Sequence, residues 1–169
     1  YKGSFECISW RILFINYFFV FYLSNWPKFE FILIEGSAGA SYALRLEGSV
    51  LKYLKTPPDH KEQGFGLDRI HRFTPSEGEQ RDLFITADDW KRFYREIDEL
   101  DVWSWEAHYD DPNVMQGFQW SIHFTFKDKE IRCGGANAYP GEKSLGYSAE
   151  FKKLLAATNE LLSSVEFGS

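Results

Sequence analysis

Residues 117–140, GFQWSIHFTFKDKEIRCGGANAYP, contain the clearest strand pattern in the chain and decide the fold. Apolar and polar side chains alternate over residues 117–127, as they do in a strand with one buried face. Asp128-Lys129 then predicts a turn into a second strand, Glu130–Cys133, which Gly134-Gly135 ends. The stretch therefore predicts an antiparallel hairpin. Its inward side chains are predicted to be Trp120, Ile122, Phe124 and Phe126, and its outward ones Gln119, Ser121, His123 and Thr125.

Three segments of strand-forming residues come earlier in the chain, separated by short glycine-containing connections. They are Phe29–Glu35, Ser41–Glu47 and Val50–Lys55. In the middle segment apolar and polar side chains alternate again, and Gly48-Ser49 after it is typical of a hairpin turn. The three segments therefore predict a meander. The remaining predictions here are a strand over Asp68–Thr74 and polar loops over Thr56–Gly66 and Pro75–Asp82.

Two later segments have the three- and four-residue apolar spacing of amphipathic helices. The first begins after Thr86, a typical N-cap, and Asp89 completes a capping-box arrangement. The second spans Ala149–Leu162, with Ser148 as its cap. The expected buried residues are Trp90, Phe93, Tyr94, Ile97 and Leu100 in the first helix and Phe151, Leu154, Leu155, Thr158 and Leu161 in the second.

Between the helices, Val102–Tyr109 (VWSWEAHY) changes to a two-residue period, which predicts another strand with Trp103, Trp105 and Tyr109 on one face. The order of strands, helix, strands and helix, with hairpins dominating, predicts an α+β fold. We expect a mainly antiparallel sheet of about six to seven strands, with the two amphipathic helices packed on one face. Residues 28–165 are expected to form this single domain.

Residues 1–26 are an apolar extension whose relation to the native domain the sequence leaves open. Residues 12–23 read ILFINYFFVFYL, a run shorter than the roughly 20 apolar residues that cross a bilayer. The run fits a signal-peptide core, a segment buried in the protein or under a partner, or sequence outside the native domain. Membrane contact is expected only if this run is a genuine native segment. The protein is expected in the cytoplasm, or exported if the run is a signal sequence.

The formal net charge of −6 argues against nucleic acid as a partner, because binding to phosphates requires a basic surface. Two cysteines, Cys7 and Cys133, are too few for a disulfide framework or a Cys-rich zinc site, and they fit a reducing cytoplasm. No cofactor is predicted. Aromatic residues make up 18% of the chain, which predicts a core built on rings or a surface that uses them for contact.

Several uncommon residues fall in a recognisable order in the second half of the chain. Trp103-Ser104-Trp105 is followed by Tyr109, by Gly117-Phe118-Gln119-Trp120, by Gly134-Gly135-Ala136-Asn137-Ala138-Tyr139-Pro140 and by a helix near Phe151. This order resembles an uncharacterised bacterial protein family with the pattern W-x-W…Y…G-x-x-W…G-x-N-A-Y-P. The resemblance covers roughly residues 29–163, including the SYALRLEGSVLKY hairpin, and residues 141–147 lengthen one connection relative to it. It implies a bacterial protein, soluble or exported, and no particular reaction.

Two histidines are the candidates for catalytic chemistry. His108 and His123 are expected to be able to face each other on adjacent strands, which would provide a metal or general-base site for a metal-dependent hydrolase. The acids nearby in sequence are Glu106, Asp110 and Asp111. A polar, solvent-facing sheet surface explains the same residues, and it is the interpretation we favour. Cys133 before Gly134-Gly135 has no base or cation on its own strand face, so a structural cysteine is favoured over a nucleophile.

The best candidates for binding a ligand or partner are Trp103, Trp105, Tyr109, Trp120, Asn137 and Tyr139. Their rings also fit a core, and the Asn137 amide also fits a structural role in the turn before Pro140. Weak signals for catalysis, an acidic charge and surplus rings together favour a small non-enzymatic module that binds another protein or acts as an accessory to it. Carbohydrate binding through exposed tryptophans is a further alternative to the hydrolase. The carboxylates expected to steer a partner are Asp98, Asp101, Asp110 and Asp111.

Overall fold

The strands and helices follow the predicted order closely. The computed structural model describes residues 28–35, 39–58, 78–111, 113, 117–142 and 146–168. The strands are β1 (Phe29–Glu35), β2 (Ser41–Glu47), β3 (Val50–Thr56), β4 (Glu79–Leu83), β5 (His108–Asp110), β6 (Phe118–Phe126) and β7 (Lys129–Ala136). The helices are α1 (Ala87–Glu99) and α2 (Ala149–Leu162), and a 3₁₀ turn spans Val102–Ser104.

The seven strands form one sheet in the order β4-β3-β2-β1-β6-β7-β5. Every neighbouring pair is antiparallel except β5 and β7, which run parallel. The N-terminal meander and the β6–β7 hairpin therefore meet along β1 and β6, in the middle of the sheet. The predicted α+β fold with a mainly antiparallel sheet is confirmed.

Both helices pack on the same face of the sheet. Thr86 caps α1 by accepting the Asp89 N–H at 3.2 Å, and Ser148 caps α2 by accepting the Phe151 N–H at 3.1 Å, as predicted. The apolar sides of the helices join the inward residues of the strands in one core. Its largest fully buried side chains include Phe29, Phe31, Tyr53, Phe93, Tyr94, Phe124 and Phe151. A smaller cluster on the opposite face consists of Ile32, Ala43 and Leu54.

The prediction of a strand over Val102–Tyr109 is wrong for most of that range. After α1 ends, Asp101 adopts a left-handed conformation (φ 52°), which turns the chain sharply. The Trp105 N–H then donates to the Val102 carbonyl at 3.1 Å and closes the 3₁₀ turn. Strand pairing begins only at His108. The alternating tryptophans therefore do not share one strand face, and their rings go to different places.

Three smaller predictions are also corrected. The polar loop predicted over Pro75–Asp82 overlaps the first four residues of β4, an edge strand. Leu83 alone among the five residues of β4 is buried, so the sequence of this strand lacks an apolar pattern. Gly134-Gly135 does not end β7, which continues to Ala136. The hairpin turn lies one residue earlier than predicted, with Lys127 at φ 55°. The strand predicted over residues 68–74, the extension 1–26 and parts of the predicted loops lie outside the described residues.

Candidate binding surface

Trp120 is the centre around which most of the predicted binding residues gather. It lies on the inward face of β6 and is only 3% exposed. Its indole N–H donates to the Ala138 carbonyl at 2.9 Å, which satisfies the polar atom of a buried ring. The aromatic rings whose centroids lie within 6.4 Å of it belong to Trp105, Tyr109, Tyr139 and Phe151.

Glycines give this cluster the room it needs. A Cβ at Gly135 would lie 2.5 Å from the Tyr109 carbonyl oxygen and 2.8 Å from the indole nitrogen of Trp120. A Cβ at Gly117 would overlap the side-chain amide of Asn137. The Tyr109 backbone and the Trp120 ring can therefore approach Gly135 closely, and the Asn137 amide can approach Gly117, only because neither position has a side chain.

Asn137 supports the turn that leaves β7. It has φ 58°, a left-handed conformation that asparagine tolerates better than most residues. Its N–H donates to the Phe118 carbonyl at 2.9 Å, and its side-chain amide lies against Gly117. This placement fits the structural role considered for Asn137 and joins the end of β7 to the start of β6.

The outer rings of the cluster form a partly exposed surface. We call this surface the aromatic patch and define it by five residues: Trp105, Tyr109, Phe118, Tyr139 and Tyr147. Phe118 is 37% exposed, and the other four are half-buried. The Phe118 ring lies 5.5 Å from the Tyr147 ring, which in turn lies 5.3 Å from the buried ring of Phe151. The patch is therefore continuous with the core beneath it.

The Tyr109 hydroxyl adds a polar group to the aromatic patch. Burial raises the pKa of Tyr109 above its ordinary value, so the hydroxyl keeps its proton at neutral pH. The hydroxyl oxygen accepts the Glu106 N–H at 2.8 Å, which holds the segment after Trp105 against the ring. The hydroxyl proton remains able to donate to another group.

Several carboxylates are close in sequence to residues of the aromatic patch. Glu106 follows Trp105, Asp110 and Asp111 follow Tyr109, and the Glu150 carboxylate lies against Gly141, two residues after Tyr139. Of the carboxylates predicted to steer a partner, Asp110 follows Tyr109 in β5, so its side chain points to the opposite face of the sheet, where it pairs with His108 at 2.6 Å. Asp98 and Asp101 lie at the end of α1 instead.

Trp103 does not join the aromatic patch. Its ring stacks on Tyr94 with a centroid distance of 6.4 Å, and the Lys129 Nζ lies 5.5 Å from the Trp103 centroid. Its indole N–H donates to Asp98 at 2.6 Å, and Lys129 donates to the same carboxylate at 2.7 Å. We call Asp98, Trp103 and Lys129 the Trp103 clasp. This clasp ties the end of α1 to the β6–β7 hairpin.

The two histidines do not converge. The order of strands places β7 between β5 and β6, so His108 and His123 are separated by two strand spacings, about 10 Å, across the sheet. His108 pairs with Asp110 at 2.6 Å, and His123 pairs with Glu130 at 3.0 Å. Within the described ranges, no three histidine, cysteine, aspartate or glutamate side chains lie close enough together to hold a metal ion. The expectation that they face each other on adjacent strands is wrong.

Cys133 lies in the core beneath the aromatic patch. Burial raises its thiol pKa to about 12, so the reactive thiolate is scarce at neutral pH. The side chain is 6% exposed and points to the helix-covered face. This environment is that of a structural cysteine.

Sequence reasoning missed Phe118 and Tyr147 as surface residues. Phe118 continues the inward alternation of Trp120, Ile122 and Phe124, but it lies where the sheet extends past the start of α2. The feature of the sequence that could have indicated its exposure is the position of Phe118 at the end of the alternating run. Tyr147 precedes the Ser148 cap, and its sequence neighbours carry no pattern that would place it on Phe118.

No protein-family model matches the sequence, and no curated protein matches it. The resemblance to an uncharacterised bacterial family therefore stays a prediction. Neither of the two helices in the described part of the chain has the length and apolarity needed to cross a membrane.

Proposed function

We propose that this chain is a non-enzymatic module that binds another protein through the aromatic patch. The observation that carries the proposal is a group of partly exposed rings resting on a buried, hydrogen-bonded tryptophan. Aromatic side chains are enriched at the centres of protein interfaces, where they bury large areas. A half-buried ring supplies that area without being fully covered by its own chain.

The aromatic patch also rests on a rigid base. The Trp120 indole is fixed by the Ala138 carbonyl, and Asn137 joins the β7 end to β6. Rings held in this way lose little conformational freedom when a partner covers them. This restraint favours binding at the patch over binding at an equally apolar but freely rotating surface.

The alternatives draw less support from the same residues. The separation of His108 from His123 gives a metal-dependent hydrolase no shared site at these histidines. Carbohydrate binding needs an open ring face, but Tyr94 and Lys129 already lie over the Trp103 ring. Trp105 packs edge-on against Trp120, with an interplanar angle of 85°.

A capture experiment tests the proposal. The full chain, Phe118→Ser and Phe84→Ser are immobilised separately and exposed to a lysate of the source cells. Phe84 is the matched control, because it is 79% exposed and precedes α1, far along the chain from the patch. We expect the wild type and Phe84→Ser to retain the same partner, and Phe118→Ser to lose most of it.

The retained complex is then examined by hydrogen exchange. Protection of residues 105–111 and 117–120 in the complex is expected, since these segments supply much of the patch. Thermal unfolding of each variant establishes that it is folded before capture. If all three proteins retain the same set of proteins, or if no protein is retained specifically, the aromatic patch is not a binding surface and the proposal is wrong.

A further inference from the structure

We infer that the apolar N-terminal run, residues 12–23, packs on the sheet face opposite the helices and covers Ile32, Ala43 and Leu54. We call these three residues the outer cluster. The proposed function does not use this face of the sheet. The basis of the inference is that the outer cluster is buried although both described helices lie on the other face.

The outer cluster forms a row across three neighbouring strands. Ile32 in β1 pairs with Ala43 in β2, which pairs with Leu54 in β3. Their exposed fractions in the single chain are 1%, 0% and 1%. Within the described ranges, the partly buried apolar residue that packs against this row is Ile34 alone. Side chains on an uncovered face of an antiparallel sheet stay in contact with water. Another part of the same chain therefore lies over the row.

The burial is confined to the middle of this face. Gln80, the partner of Leu54 in β4, is exposed, and so is Arg132 in β7. Ser121, the partner of Ile32 in β6, is half-buried. The covered strip thus spans two strand spacings, about 10 Å. This width matches the diameter of about 10–12 Å of one helix with its side chains, so a single short element is enough to cover it.

Two segments outside the described ranges are long enough to supply this cover, the N-terminal extension and residues 59–77. Residues 59–77 join β3 to β4 and contain seven charged side chains and four large apolar ones. In residues 12–23, Asn16 is the one side chain that is neither apolar nor aromatic. Burying an apolar side chain stabilises a fold, whereas burying an unpaired charge destabilises it. The N-terminal run therefore suits the outer cluster better.

The N-terminal run is also tethered beside the outer cluster. Lys28 directly precedes β1, and its N–H donates to the Thr125 hydroxyl at 2.6 Å. Thr125 alternates with the inward Phe124, so its side chain lies on the face of the outer cluster. Residues 24–28 can span about 16 Å, and Ile32 lies about 13 Å along β1 from Lys28. The run can therefore fold back over the row.

The charged side chains next to the outer cluster are matched among themselves. Glu30 lies 2.7 Å from Arg45, and Asp82 lies 2.8 Å from Lys52, so each of these ion pairs joins two neighbouring strands. An apolar segment beside them does not have to provide a counter-charge.

Photo-crosslinking in the full chain tests the inference. Ser121→Cys, combined with Cys7→Ser, places a thiol on the outer face, and a benzophenone maleimide is attached to it. After irradiation, digestion and mass spectrometry, we expect crosslinked peptides from residues 12–23. The same label at Lys153→Cys, on the exposed side of α2, is the control and should give no crosslink to that run. Crosslinks to residues 59–77 alone, or none to residues 12–23, would overturn the inference.

Substitutions in the run provide a second measurement. Ala43→Cys, again with Cys7→Ser, places a thiol at the centre of the outer cluster, where the cover should protect it from a thiol reagent. Adding Phe18→Asp and Val20→Asp should raise the reaction rate of this thiol at least about tenfold, because buried aspartates favour opening of the covered strip.

A matched pair of substitutions and an internal reporter complete this test. Ile70→Asp with Phe73→Asp changes the rival segment in the same way and should leave the reaction rate unchanged. Cys133 is buried on the helix-covered face, so its lack of reaction shows that the domain stays folded. If an aspartate variant unfolds, the crosslinks from Ser121→Cys decide. The inference is wrong if the rate rises equally with both pairs, only with the second pair, or with neither.

Discussion

The Trp103 clasp and the aromatic patch use similar residues for different ends. In the clasp, a tryptophan, a carboxylate and a lysine of the same chain satisfy one another at distances of 2.6–2.7 Å, so the group is complete within the fold. In the patch, partly exposed rings lie over the buried rings of Trp120 and Phe151, and Phe118 is 37% exposed. The difference teaches that an aromatic-rich sequence can tie some rings into polar contacts within the fold and leave others partly exposed.

The two regions also differ in depth. Trp120 beneath the aromatic patch is almost fully buried, whereas Trp103 is half-buried and sits at the edge of the core. The contacts that stabilise the patch therefore lie mainly among the buried rings below its surface, whereas the clasp is stabilised mainly by its polar contacts. Substitutions that separate these contributions can sharpen or break the comparison.

The largest effect is expected for Trp120→Ala. Removing a buried tryptophan leaves a cavity beneath several rings, and the free energy of unfolding should fall by about 3–5 kcal/mol. Trp103→Ala removes a half-buried ring and one hydrogen bond, and should cost about 1–2 kcal/mol. Urea denaturation measures both. Equal losses of unfolding free energy would contradict the view that the buried ring beneath the patch contributes more stability than the half-buried ring of the clasp.

A smaller loss of stability than that of Trp120→Ala is expected for Gly135→Ala. The added Cβ meets the carbonyl oxygens of Tyr109 and Ala138 at 2.5 and 2.7 Å, and backbone cannot move aside as a flexible side chain can. We expect a loss of about 2–3 kcal/mol and a changed near-ultraviolet circular dichroism signal from Trp120.

Gly48→Ala is the matched control for this substitution. Gly48 has φ 60° and open space around its Cβ position, so alanine there should cost only about 1 kcal/mol through backbone strain. If the two variants lose the same stability, close packing at Gly135 does not support the patch.

The sequence predicts the buried residues beneath the aromatic patch better than the exposed residues of the patch itself. Alternation over β6 identifies Trp120 as inward, and the caps Thr86 and Ser148 locate both helices, because these signals are local. Phe118 and Tyr147 come together only because β6 extends past the start of α2, and no local pattern encodes that meeting. The same limit explains why His108 and His123 were expected on adjacent strands, since β7 inserts between them through a parallel pairing.

The 3₁₀ turn marks a second limit. The two-residue spacing of Trp103 and Trp105 resembles a strand, but the left-handed conformation of Asp101 redirects the chain before any strand begins. Trp103 then enters the clasp while Trp105 reaches Trp120. A periodic pattern gives the side-chain alternation only when the backbone is extended, which propensity alone does not establish.

The smallest effect is expected for Lys129→Met, which opens the Trp103 clasp. Hydrogen bonds from Lys129 and Trp103 lower the pKa of Asp98 below its ordinary value of 3.8, so the folded state favours the charged carboxylate. A lowered folded-state pKa contributes stability above the unfolded pKa, and the contribution is lost as pH falls through the folded value. Because the pair is partly exposed, Lys129→Met should cost only up to about 1 kcal/mol at pH 7.

The pH dependence distinguishes the lost ion pair from lost packing. The stability difference between wild type and Lys129→Met should be constant above about pH 5 and shrink as Asp98 becomes protonated below its ordinary pKa. The carboxyl resonance of Asp98, followed by NMR, should titrate at higher pH in the variant than in the wild type. A difference that stays constant down to pH 2 would show that Lys129 stabilises the clasp through its ammonium over the Trp103 ring and not through the ion pair with Asp98. The clasp would then depend on a ring contact, as the patch does, and the contrast between its polar contacts and the buried rings beneath the patch would fail.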